Sequence, residues 1–403
     1  MNSEKIKELE NEYTANTYTR YDVAIEKGNG ARAWDPEGND YIDFSSGIGV
    51  NSLGFCEPGW VKAVQDQASK VQHLSNLLYS EPCAKVAEKL VSLTGMSSVF
   101  FANSGAEANE GAIKAARKYS YMKLGKDGEQ EADGDFDRYR IVTLEGSFHG
   151  RTMATITATG QSSFHKYFTP FLQGFDYAGI NDIASLHKTV TDKTCAIMIE
   201  FIQGEGGVVE LDKDFVLEIA KICKEKDILL IADEVQTGIG RTGKFMAYNY
   251  FGVQPDIVTV AKGIGGGLPI GCVIFGEKAK DALGPGDHGS TYGGNPVVCA
   301  GANYVLSKFM DDGSFLKDIS AKGDYFREKL MNIPGVKSVS GKGLMIGIDI
   351  GGKDAKSVCA EATKRGLLLL TAKDKIRFLP PLNIKQIDID EGLAIFAEAL
   401  AAG

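Results

Sequence analysis

Hydrophobic residues in the first eighty positions recur at two different periods. Residues 31–34 and 41–44 are apolar-polar runs on either side of a Pro-Glu-Gly turn at 36–38, which predicts a small hairpin. Residues 58–72 place Val61, Val64, Ala68 and Val71 three or four apart, which predicts one face of a helix. Another helical segment starts near Glu4. From about residue 84 the pattern changes. Short, continuous apolar runs at 99–102, 140–144, 196–201, 228–232, 257–261 and 272–275 alternate with helical stretches. Such runs suit strands buried on both faces, so the expected class is α/β with a parallel or mixed sheet. After Asn303, helices return with isolated strands at 343–350, 367–370 and 376–378, which predicts a smaller α+β unit. The expected division is a large domain over 60–300 and a small one built from 1–59 and 301–403.

The 403 residues, 43% hydrophobic and 24% charged, are enough for one large and one smaller domain. A net charge of −9 argues against a nucleic-acid partner, which calls for a basic face. Seven cysteines include no CxxC pair, so they are expected as reduced thiols in a cytoplasmic protein. The five histidines show no metal-ligand spacing with them, and no metal site is expected. Residues 1–13 are charged and lack an apolar signal core. No stretch reaches the roughly 18 apolar residues of a membrane span, so no membrane association is expected. Residues 126–137 carry six acidic side chains among glycines and are expected as a solvated loop.

Chemistry-bearing residues cluster at the ends of three predicted strands. The run 228–232 leads into Asp233, 196–199 into Glu200, and 257–261 into Lys262. In open α/β sheets, ligands sit beyond the carboxyl ends of strands. A lone lysine there is first of all a salt-bridge candidate, because an unpaired charge at the end of an apolar run is costly. The run Gly263-Ile264-Gly265-Gly266-Gly267 after it leaves room for a flat ligand beside the lysine. A second candidate is Asn103-Ser104-Gly105-Ala106-Glu107, which continues an apolar run and opens an alanine-rich helix. Ser104 and Glu107 fit a capping box, and the free N–H groups of a helix start suit a phosphate. Gly238-Ile239-Gly240-Arg241-Thr242-Gly243 matches a dinucleotide fingerprint in letters only. Five residues separate it from the strand, and the stretch Lys244-Phe245-Met246 after it is a poor helix start. No GK[ST] occurs, which excludes a P-loop.

In order along the chain, WDPEGNDYIDF, FFANSGAEANE, SFHGRT, IEFIQGEGGV, IADEVQTGIGRTG, AKGIGGGLPIG and HGSTYGGNP resemble the motifs of the class III (ornithine/acetylornithine/GABA-type) aminotransferases. The resemblance runs from about Tyr18 to Glu398. It implies a pyridoxal-phosphate-dependent transferase of fold type I, aspartate-aminotransferase-like, with pyridoxal 5′-phosphate as cofactor.

The roles it implies make physical sense on these residues. Lys262 forms the Schiff base with the cofactor and shuttles the substrate proton. Asp233 pairs with the pyridine nitrogen, so the ring can accept electrons. Phe148 and Val235 cover the two ring faces, and Gln236 reaches the phenolic oxygen. Glu200 joins this cofactor set. Gly105 and Ala106 offer N–H groups to the phosphate, and Thr291 adds a hydroxyl from the neighbouring subunit. A homodimer with shared active sites is therefore expected. Arg151 clamps a substrate carboxylate with its planar fork. Arg377 is the second carboxylate arginine, and Glu205 neutralises it when the other substrate binds. Tyr18 and Ser290 complete the substrate pocket, Ser290 from the partner chain.

The stretch 73–79 (HLSNLLY) resembles the acetylornithine branch of the family. The expected reaction is transamination of N2-acetylornithine with 2-oxoglutarate, a step of arginine biosynthesis. Succinylornithine, ornithine or GABA are the alternative amino donors, and an aminomutase is a further alternative, disfavoured by the Glu205–Arg377 combination. A cofactor-binding protein without catalysis would not need both Lys262 and Arg151. The chain departs from the usual pattern at Phe201, where many members have proline, at Ala106 (threonine) and at Asp22 (proline).

Overall fold

The computed structural model describes residues 1–124 and 138–403. The acidic segment 126–137 lies outside the described residues. A seven-stranded sheet dominates, in the order Ser98–Ala102, Gly271–Phe275, Ile257–Val260, Leu229–Asp233, Thr194–Ile199, Arg140–Leu144 and Phe175–Ala178. Gly271–Phe275 runs antiparallel to both its neighbours and the other strands run parallel, so the sheet is mixed. The strands at its centre are buried along their whole length, as expected for a sheet covered by helices on both faces. The strand Phe175–Ala178 carries Asp176 and Tyr177 and has no continuous apolar run, so the hydrophobic pattern does not reveal it.

The hairpin exists as Arg32–Trp34 against Asp40–Asp43, with a third strand, Lys27–Asn29, outside it. Leu367–Leu368 adds to it in parallel, and brings the two ends of the chain together. Another four-stranded sheet comprises Ser338–Lys342, Met345–Asp349, Lys375–Phe378 and Leu370–Ala372.

Three expectations need correction. The helix expected over 58–72 spans Pro58–Ala68, and Val71 lies beyond it, exposed. Pro58 starts it well and Glu57 caps it, and the backbone N–H of Ser69 closes its last turn. The capping box is only half formed. Ser104 Oγ accepts from Glu107 N at 3.1 Å, whereas the Glu107 carboxylate turns back to Asn103 N at 2.8 Å, one residue further out. The glycines after Lys262 serve packing as well as space, since Gly267 lines a cavity at the strand ends. Gly265 O accepts from Trp60 Nε1 at 3.1 Å, and a Cβ on Gly266 would come within 2.8 Å of the same nitrogen. Among the described residues, no helix is long and apolar enough to cross a membrane.

Candidate active site

The carboxyl ends of the central strands meet in a cavity of about 640 Å³. Parallel register sets this up. Ala232 pairs with Ile199, so Asp233 and Glu200 emerge side by side, and Asp233 pairs with Thr259, three residues before Lys262. Lys262 stands just past the strand Ile257–Val260, in the left-handed region at φ 49°. A non-glycine residue held there is strained, and such strain persists only where the surroundings over-determine it. Burial holds the Lys262 ammonium below the ordinary lysine pKa, against the opposing pull of Glu205.

Asp233 is the most heavily anchored group in the cavity. One carboxylate oxygen accepts from Asn109 Nδ2 at 2.8 Å and lies 2.7 Å from His149 Nδ1. The other accepts from Val235 N at 3.0 Å. Asn109 is fixed in turn by the Thr259 hydroxyl at 2.7 Å. With a carboxylate facing it, His149 Nδ1 carries the donated proton, and Nε2 is left buried without a hydrogen-bond partner among the described residues. The sequence motifs assign a role to neither Asn109 nor His149. Asn109 has a legible signal: a polar side chain four residues past Gly105, on the buried face of an alanine-rich helix. His149 has none, because its partner lies 84 residues away.

Glu200 accepts from Phe148 N at 2.9 Å and Gly204 N at 3.2 Å. Burial pushes its carboxyl up to about 7. The helix Gly105–Lys123 points its first turn at the cavity, where Asn103, Ser104, Gly105 and Ala106 form one wall. A Cβ on Gly105 would lie 2.6 Å from Val235 Cγ1, so the helix start and Val235 approach closely only because residue 105 is glycine.

Phe148, Arg151, Val235, Gln236 and Tyr18 also line the cavity. Tyr18 and Arg151 are exposed at its mouth. Arg377 and Glu205 form a separate constellation behind Gln236. Arg377 Nη1 donates to Glu205 Oε1 at 2.6 Å and to Gln236 Oε1 at 3.0 Å. Burial pushes the Glu205 carboxyl up, but the Arg377 guanidinium overrides this and holds it below the usual carboxylate range. Thr291 is exposed and lines no part of the cavity in its own chain. Ser290 Oγ accepts from Asn103 Nδ2 at 3.2 Å, so Ser290 touches the cavity wall of its own chain.

The dinucleotide-like segment 238–243 forms turns that lead into no helix, and Arg241 inside it is buried, donating to Leu344 O and Pro380 O. Phe201 packs in an aromatic group with Tyr248 and Phe251. Asp22 pairs with Lys7 at 2.7 Å on the surface, away from the cavity. No cluster of ligating side chains that could hold a metal occurs among the described residues.

The model of the family described as aminotransferase class-III matches residues 13–400. The chain is 48% identical over 403 residues to the acetylornithine aminotransferase of Haemophilus ducreyi, covering 100% of both. It superposes on the N-acetylornithine aminotransferase of Stenotrophomonas maltophilia with a TM-score of 0.82, at 34% identity and 98% coverage of each chain. A structure of the Toxoplasma gondii ornithine aminotransferase matches with a TM-score of 0.90 at 29% identity, covering 99% of this chain and 94% of that one. That structure reveals partial occupancy of PLP at the active site.

Proposed function

The chain belongs to the class-III aminotransferases, and from that membership we propose that it transfers the amino group of N2-acetylornithine to 2-oxoglutarate, giving N-acetylglutamate 5-semialdehyde and glutamate. The observation that carries the chemistry is Lys262, strained and half-buried at a strand end in one cavity with Asp233. The amino donor is supported by the full-length identity to an enzyme named for acetylornithine.

The family's cofactor is pyridoxal 5′-phosphate, and the residues present fit it. The helix start at Ser104–Ala106 provides unpaired N–H groups for a phosphate. Phe148 and Val235, which both line the cavity, suit the two faces of a flat ring. The anchored, buried carboxylate of Asp233 suits a protonated ring nitrogen. When bound, the cofactor supplies an aldehyde for the lysine and an electron-poor ring that takes up the electrons released at the substrate carbon.

The protein's part rests on its own residues. Asp233 keeps the proton on the ring nitrogen, and Asn109 and His149 keep Asp233 in place. Lys262 Nζ, favoured as the free amine by burial, takes the substrate proton and returns it. Phe148, held by Glu200, covers one ring face, while Gln236 reaches the phenolic oxygen. Gly105 and Ala106 bind phosphate, joined by Thr291 of a second copy. Arg151 binds a substrate carboxylate, with Tyr18 and the Ser290 of a second copy beside it. Arg377 takes a second carboxylate once Glu205 moves aside.

The proposed assembly is a cytoplasmic homodimer. The exposure of Thr291, Tyr292, Leu77 and Tyr79 on one chain, and seven unpaired thiols, support this. We also propose residues 60–300 as the large unit, and 1–59 with 301–403 as the small one. The seven-stranded sheet falls within the first, while both four-stranded sheets draw on the second.

Lys262→Ala is expected to abolish turnover and the visible absorbance of the bound cofactor. Loss of general-base action alone costs about 10²- to 10⁴-fold, and a variant with normal turnover refutes the assignment. For the donor, kcat/KM is compared for N-acetylornithine, ornithine, succinylornithine and GABA with 2-oxoglutarate. A clear preference for GABA overturns the acetylornithine proposal.

A further inference from the structure

Arg151 has no hydrogen-bond or ion-pair partner among the described residues, although it lines the cavity. What it has is aromatic: its guanidinium lies 4.3 Å from the centroid of the Phe164 ring and 5.6 Å from that of Phe148. The two rings also meet, edge to face, at 5.5 Å. Phe164 is half-buried and belongs to none of the hydrophobic core clusters.

The short turn that carries Phe164 is tied down on both sides. Gly146 N donates to Gly160 O at 2.8 Å, Gly160 N donates to Ser147 Oγ at 3.1 Å, and Gln161 Nε2 donates to Ser147 O at 3.1 Å. A Cβ on Gly160 would lie 2.0 Å from Leu144 O, so the turn presses directly on the strand end that leads to Phe148. On the other side, His165 Nε2 lies 2.9 Å from Ile156 O. Phe164 is thus delivered to Arg151 by fixed backbone.

We infer that Phe164 is a positioning residue for substrate recognition: its ring holds the Arg151 guanidinium by its face, which leaves the N–H edges free for a carboxylate. A planar guanidinium stacked on a ring keeps its fork of donors available in the plane. An arginine held instead by a carboxylate would arrive at the substrate already neutralised, as Arg377 does with Glu205. The inference rests on the proposal that Arg151 clamps a substrate carboxylate.

The test uses the cofactor-loaded enzyme and compares Phe164→Leu, Phe164→Met and Phe164→Tyr with Arg151→Ala. Leucine and methionine keep apolar bulk without a π face, and tyrosine keeps the face. Expected for Leu and Met is a KM for N-acetylornithine raised about 3- to 10-fold, with kcat and the cofactor's visible absorbance little changed. Tyr is expected to restore KM. Putrescine, a diamine without a carboxylate, serves as a control donor whose KM is insensitive to every Phe164 substitution. If Arg151→Ala raises KM for N-acetylornithine and the Phe164 variants do not, the role of Phe164 is wrong and the carboxylate clamp stands. If Arg151→Ala itself leaves KM unchanged, the clamp falls and the inference with it. If the Phe164 variants lose absorbance and turnover equally with putrescine and N-acetylornithine, Phe164 is merely structural and the inference is overturned.

Discussion

Arg377 is 2% exposed, with one terminal nitrogen held by both Glu205 and Gln236. Arg151 stands exposed at the cavity mouth, held by ring faces and by no acceptor among the described residues. The two arginines are proposed to serve the same chemical purpose, but their surroundings give them different terms. A carboxylate reaching Arg377 must displace Glu205, so that site is conditional. A carboxylate reaching Arg151 has no acceptor to displace among the described residues. The buried pair also carries structural weight: removing one partner strands a charge in a low-dielectric interior. The exposed arginine is free of that duty, so its loss should be felt in binding and not in folding.

The largest effect expected from this difference is on Glu205→Ala. It leaves the Arg377 guanidinium with Gln236 alone and should cost about 3–5 kcal/mol in urea unfolding. A loss below about 1 kcal/mol would place the pair among ordinary surface ion pairs and break the comparison.

Glu234 sharpens it from the carboxylate side. It is buried like Arg377 but meets no cation among the described residues, only the Thr237 hydroxyl and the backbone N–H groups of Ala247 and Tyr248. Burial pushes its carboxyl from the ordinary 4.5 up to about 7. A carboxyl whose folded pKa is raised binds its proton more tightly when folded. Its stabilisation is therefore complete below pH 4.5 and is lost as the pH rises to about 7. The span is worth at most about 3 kcal/mol. Glu234→Gln should flatten this part of the stability–pH curve. An unchanged slope between pH 4.5 and 7 would show that Glu234 ionises without penalty.

The smallest of the three, about 2 kcal/mol in binding, concerns Arg151→Ala. Loss of a charge-assisted bidentate contact should raise KM for carboxylate substrates about 30-fold. The Tm should stay close to that of the unsubstituted protein, because surface substitutions cost within about 0.5 kcal/mol. A variant that loses stability as Glu205→Ala does would erase the distinction between the two arginines.

Much of the cavity wall is legible in the chain alone. Asp233, Glu200 and Lys262 end apolar runs, and parallel register turns a shared position along the chain into a shared position in space. The helix start at Ser104 is legible from its cap. The anchoring of Asp233 is not. Asn109, His149 and Thr259 come from three separate elements, and hydrogen bonds over 84 to 150 residues leave no local pattern. The glycines after Lys262 mislead in part, because the letters show where side chains are missing but not that Trp60 occupies the space.

By itself, the sequence determined the α/β class, the strand-end chemistry and the family, because periodicity, caps and ordered motifs are written along the chain. Tertiary structure alone decided that Lys262 sits in a left-handed conformation, that Arg377 is neutralised across 172 residues, and that Arg151 is held by Phe164 with its donors free. Backbone strain and pairing depend on which distant elements the packed sheet brings within a few ångströms, and no spacing along the chain encodes those distances.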